Sequence, residues 1–136
     1  QVIYEGCKVM NYNQLGWFYN SLNSRSPSWT GVEFLYNFLV TNKGVGPYGI
    51  ETNVESILPG DIIQLKFDKN VYQHSPVVVS TGNPPSIDNI LLAAHTFNSD
   101  NRPLNSYSWS DIRFIHILGA RKYWKFNSYG FKTTLM

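Results

Sequence analysis

The stretch from Tyr72 to Thr96 limits what this chain can fold into more than any other part of it. Val77-Val78-Val79 is a β-branched run and Ile90-Leu91-Leu92-Ala93-Ala94 is a second apolar run. Gly82-Asn83-Pro84-Pro85-Ser86 between them has the composition of a turn or loop. The segment is therefore a β-hairpin. Pairing symmetric about Pro84 and Pro85 sets Ser80 opposite Asn89, Val78 opposite Leu91 and His74 opposite His95. Directly opposed Cβ atoms lie about 5 Å apart, so this register brings two imidazoles together at the open end of the hairpin. A slip of one residue would undo the pairing, because side chains alternate between the faces of a strand.

The flanking segments supply more sheet. Ile57-Leu58-Pro59-Gly60-Asp61 turns the chain and Ile62-Ile63-Gln64-Leu65-Lys66-Phe67 forms a strand, which with the hairpin makes a three-stranded meander. Phe114-Ile115-His116-Ile117-Leu118 is a further strand with Phe114, His116 and Leu118 on one face. A lone histidine on an apolar face is ordinarily a core or edge residue with its ring hydrogen-bonded, so His116 stays outside the candidate site. Tyr123, Trp124, Phe126, Tyr129 and Phe131 predict a last strand against the sheet.

Helical signals are fewer. Thr30 as N-cap and Glu33 three residues later make a capping box, and Val32, Leu35, Tyr36 and Leu39 fall on one buried stripe that ends at Asn42 to Gly44. Trp29, just before the cap, is a packing anchor first and an aromatic cleft wall second. Asn11 to Arg25 is a loop held to the core by Leu15, Trp17, Phe18 and Tyr19, and Lys43 to Tyr48 is a turn. Asn98 to Pro103 is a polar loop overhanging the histidines, a lid or recognition loop with Asp100 as a candidate substrate contact. Gln1 to Gly6 has the pattern of a helix end closed by glycine, which predicts a truncated or processed N-terminal helix. The sum is one α+β domain over residues 1–136, a small antiparallel sheet with helices packed on one side.

Composition narrows the partners. The net charge is +2 and the lysines and arginines are scattered, so nothing points to nucleic acid. No apolar run approaches the ~20 residues of a membrane span. The single cysteine, Cys7, excludes an internal disulfide. Asn, Ser and Tyr fill polar positions that Lys and Glu usually take, a weak indication of an exported protein that handles polar or carbohydrate-containing material.

Several chemistries suit the His74–His95 pair, beside the plain reading of two polar residues opposed at a sheet edge. In one, a histidine is the general base for a thiol nucleophile while the other sets its tautomer and orientation. Such a thiol belongs at a helix N-terminus, whereas Cys7 follows a helix C-terminal glycine, where the dipole opposes thiolate formation. In another, His74, His95 and Asp100 bind zinc, though their spacing matches no metal motif. The third is a binding domain without chemistry.

Taken as a set, Ser26-Pro27-Ser28-Trp29-Thr30-Gly31-Val32-Glu33, Gly60-Asp61-Ile62-Ile63-Gln64-Leu65, His74-Ser75-Pro76-Val77-Val78-Val79, Ala94-His95-Thr96 with Asp100-Asn101-Arg102, and Ile112-Arg113-Phe114-Ile115-His116-Ile117 resemble the bacterial putative amidase domain from Gln1 to about Arg121. That family is similar to the NlpC/P60 and CHAP group of papain-like cysteine hydrolases. The resemblance implies a nucleophilic cysteine at the start of a long helix, with His74 as base and His95 as orienting residue. It places Gln1 at the end of the cysteine-bearing block, so the nucleophile is expected ahead of residue 1 and Cys7 is not it. It further implies hydrolysis of cell-wall peptide or amide bonds at the bacterial cell envelope or outside the cell, with a peptide or peptidoglycan substrate and no cofactor or metal. A non-catalytic cell-wall-binding or scaffold domain is the alternative.

Overall fold

Four consecutive residues, Ile62 to Leu65, are buried, which a strand reaches only when both faces of its sheet are covered. They belong to the strand Ile62–Lys66 in a computed structural model that describes residues 10–122 and the backbone of 124–126 and 132–134; the side chain of residue 97 is not among those described. The Gln1–Gly6 helix end, Cys7, Tyr123, Tyr129 and Phe131 lie outside the described residues.

Two short strands, β1 (Tyr19–Ser21) and β2 (Ser24–Arg25), pair as a small hairpin of their own. One turn of helix, α1 (Pro27–Thr30), then precedes α2 (Val32–Thr41). The main sheet comprises β3 (Gly46–Thr52), β4 (Ile62–Lys66), β5 (Val77–Ser80), β6 (Leu91–Ala94), β7 (Ser99–Pro103) and β8 (Asp111–Arg121). Its order is β3-β8-β4-β5-β6-β7 and every pairing is antiparallel. The architecture is α+β, as expected, and β4, β5 and β6 form the expected meander.

Alternation along the strands divides the core. Ile63, Leu65, Val78, Leu92 and Phe114 point to one side, where Ile57, Ile90 and Leu104 from connecting segments close over them. Ile62 and Ile115 point to the other side and meet Phe38 and Leu39 of α2 together with Trp17. Trp17 is what holds the Asn11–Arg25 segment down; Leu15, counted on for the same task, is exposed.

Five expectations change. The Asn98–Pro103 segment is not a free loop: β7 pairs with β6 at the sheet edge. Gly46 to Tyr48 continue from the turn into β3, because Gly49 permits close backbone approach; a Cβ there would come within 2.4 Å of the His116 carbonyl oxygen. No capping box forms, since α2 starts at Val32 with Gly31 as N-cap and Glu33 turns to Arg113. The described part of the tail, β9 (Trp124–Phe126) and β10 (Lys132–Thr134), pairs with itself and does not extend the main sheet.

The fifth change is the hairpin register. Val77 faces Ala93 and Val78 faces Leu92, one residue away from symmetry, with a bulge before Ser80 meets Leu91. The connection is asymmetric because Asn89 ties it from one side. Its Oδ1 accepts from the backbone N–H groups of Gly82 and Ser86, and its Nδ2 donates to the Pro84 carbonyl. The slip sends Leu92 and Ile90 into the core and leaves Leu91 half-buried.

Candidate active site

His74 is built into the molecule by β4 rather than by its own hairpin partner. Its backbone bridges Leu65, with N–H to carbonyl distances of 3.0 and 3.3 Å, so its side chain shares the face that Leu65 presents to the core. The neighbouring residue is clamped from the opposite face. The Gln64 Nε2 donates to Ser75 Oγ at 2.8 Å and to the Val32 carbonyl at 2.9 Å, while Gln64 Oε1 accepts from Arg113 Nε at 2.8 Å. The Arg113 guanidinium in turn lies 3.6 Å from the ring centre of Tyr36 and 4.0 Å from that of Tyr72. Residues 74 and 75 are thereby held between helix and sheet.

The His74 ring is half-buried between two aromatic walls, 6.4 Å from the centre of Phe67 and 5.8 Å from that of Tyr107. It opens on a cleft of about 290 Å³ lined by Phe67, His74, Thr96, Arg102, Tyr107 and Ser108. Burial, and secondarily the charge of Arg102, pushes the imidazole below its ordinary pKa. A neutral imidazole at neutral pH can accept a proton, which is the first requirement for a general base.

The structure separates the residues that the symmetric hairpin joined. His95 is exposed and opens the 3₁₀ turn Thr96–Asn98, and the observed register turns Thr96 toward the cleft in its stead. Among the described residues, no hydrogen bond or ring contact links His95 to His74. Trp29 packs against Trp17 and Tyr19 on the helix side, with centroids 5.2 and 5.3 Å away, and does not line this cleft. Asp100 is exposed on β7 and is not among the lining residues either. The described residues also contain no cluster of three His, Cys, Asp or Glu able to hold a metal, so His74, His95 and Asp100 do not assemble as zinc ligands.

A second histidine is held by a buried carboxylate. His116 has its ring hydrogen-bonded as expected, but the partner is the buried carboxylate of Asp61, with Nδ1 2.8 Å from Oδ2. Asp61 also accepts from the backbone N–H groups of Ile117 and Leu58, each at 2.8 Å. Two signals could have located the pair. Lys66 with Asp111 and Gln64 with Arg113 are complementary cross-strand partners, and the register that matches both leads on to Asp61 opposite His116.

No curated protein and no solved structure matches the chain significantly. The family model described as a putative amidase domain matches residues 1–118, which takes in the helices, the His74 cleft and all but the last residues of β8. By that match, the chain belongs to the putative amidase domain family.

Proposed function

We propose that this domain is part of a cysteine-dependent amide hydrolase of papain-like type, related to the NlpC/P60 and CHAP enzymes, with His74 as its general base. The observation that carries the reading is the placement of His74, a half-buried imidazole of lowered pKa at the wall of a cleft, in a chain of amidase-domain sequence. In this reading the nucleophile is a cysteine thiol, whose proton His74 takes up. It attacks the amide carbonyl, His74 passes the proton to the leaving amine, and water then hydrolyses the thioester. His95 is assigned the orienting role on the resemblance alone. The proposed substrates are cell-wall peptide or amide bonds, met at the bacterial envelope or outside the cell, in keeping with the Asn-, Ser- and Tyr-rich composition.

The test is an amide-hydrolysis assay on peptidoglycan fragments with a longer polypeptide that includes the cysteine. His74→Ala should lower kcat by about 10²–10⁴ without loss of fold, the usual contribution of a positioned proton-transfer group. Full activity in that variant would refute the assignment. Loss of less than about tenfold in His95→Ala would remove the orienting role from that residue. Binding of purified cell wall without any hydrolysis by the longer polypeptide would instead favour a binding domain.

A further inference from the structure

The cleft beside His74 holds a cation that no carboxylate among the described residues neutralises. Arg102 lies on β7 with its guanidinium carbon 3.8 Å from the ring centre of Tyr107. Its Nε donates to Ser106 Oγ at 2.9 Å and its Nη2 to the Ser106 carbonyl at 3.3 Å, and Ser106 Oγ itself donates to the Pro103 carbonyl at 2.7 Å. One edge of the guanidinium is thus pinned and its plane is set by the tyrosine. Among the described residues no carboxylate pairs with Arg102, and Nη1 has no partner. Arg113, another arginine stacked on aromatic rings, shows the contrast: it has Glu33 as an ion-pair partner at 3.2 Å.

A half-buried arginine with an oriented plane and an open edge is the usual arrangement for receiving a planar anion, because the guanidinium fork matches a carboxylate in two parallel hydrogen bonds. The other walls, Phe67 and Tyr107, offer apolar surface, and Thr96 and Ser108 offer hydroxyls. A phosphate would find a single arginine here, whereas a carboxylate needs only one. We propose that Arg102 is a specificity-determining residue that seats a carboxylate of the substrate in the His74 cleft, so that the domain acts on peptides bearing a free carboxylate next to the bond presented to His74.

This inference rests on the reading of the cleft as a substrate site, but its test requires no hydrolysis. Isotope-labelled protein is titrated with an acetylated alanine tripeptide carrying a free C-terminal carboxylate, with the C-terminal amide of that peptide, and with the amide whose middle residue is glutamate. The His74 ring resonances are followed. The free acid or the glutamate peptide, according to whether the carboxylate is terminal or from a side chain, should shift them saturably. The plain amide should bind about tenfold more weakly, as expected for loss of a charge-assisted hydrogen bond. In Arg102→Gln that difference should vanish while the melting temperature stays near that of the parent. If neither the free acid nor the glutamate peptide binds more tightly than the plain amide in the unmodified protein, the proposal is overturned whatever the variant does. Carboxylate binding here, joined to a longer polypeptide that hydrolyses nothing, would leave this inference standing and remove the catalytic one.

Discussion

Replacing Asp61 by alanine removes one carboxylate and strands three donors. Two are the backbone N–H groups of Leu58 and Ile117 and the third is the His116 ring, each 2.8 Å from a carboxylate oxygen. An unsatisfied buried amide costs roughly 1–3 kcal/mol. Leu58 is exposed enough to find water, the His116 side chain is 27% exposed and Ile117 is half-buried with its N–H aimed at the buried carboxylate, so Ile117 bears the largest share of the penalty. The total comes to about 3 kcal/mol, a large part of the 5–15 kcal/mol that holds a typical domain together. Asp61→Asn keeps one acceptor but turns an NH₂ toward a donor, for about 2 kcal/mol. His116→Ala should cost less than Asp61→Ala, at about 1–2 kcal/mol, because both amides keep their acceptor. Urea denaturation of the three variants, followed by fluorescence of the four tryptophans, measures the order directly. Asp61→Ala costing under about 1 kcal/mol at unchanged m, or His116→Ala costing as much as Asp61→Ala, would refute the view that this carboxylate serves chiefly as an acceptor for the backbone.

Two further outcomes follow from burial. Leu92→Ala should destabilise the domain by about 3 kcal/mol and Leu91→Ala by about 1 kcal/mol or less, since Leu92 is fully buried and Leu91 only half; the reverse order in denaturation would restore the symmetric hairpin. His74 is held below the ordinary imidazole value of about 6.5, so the unfolded chain takes up a proton first, and stability should fall as pH drops below about 6.5 and level off beneath the folded value. Denaturation midpoints across that range should show the slope in the parent and a shallower one in His74→Gln, and a slope of opposite sign would contradict the burial of the ring.

What could be read from residues alone was governed by how sharply local chemistry restricts the chain. The Pro59-Gly60 turn, the β4 strand and the Val77–Val79 run were legible because each combines turn residues with β-branched or alternating apolar ones. Register was not legible for the hairpin. Ile90 to Ala94 is apolar throughout, so its pattern does not distinguish Leu91 from Leu92, and a side chain in the connection, Asn89, decided between them. Strand β7 was missed because Asn98 and Asn101 adopt positive φ and its composition is that of a loop, while its strand character comes from β6 beside it. The candidate base His74 was found by its residue type and setting, yet the reason offered, a partner across the hairpin, differs from the observed one, a bridge to β4 and an aromatic cleft. Arg102 belongs to one of the blocks that carry the family resemblance, but its lack of an ion-pair partner among the described residues could not be read there, since that is a property of the folded surroundings.

The position of β8 bears on how the chain reaches this state. It lies between β3 and β4, so β3 meets no other strand of the main sheet until Asp111–Arg121 arrives, although β3 precedes it by about sixty residues. During synthesis the β4–β7 meander can assemble from neighbours as it emerges, while β3 and the sheet-facing side of α2 wait for the insertion of a central strand. The ion pair of Lys66 with Asp111 and the bonds from Arg113 to Gln64 lie where that strand docks, and so select its register at the last long-range step of folding.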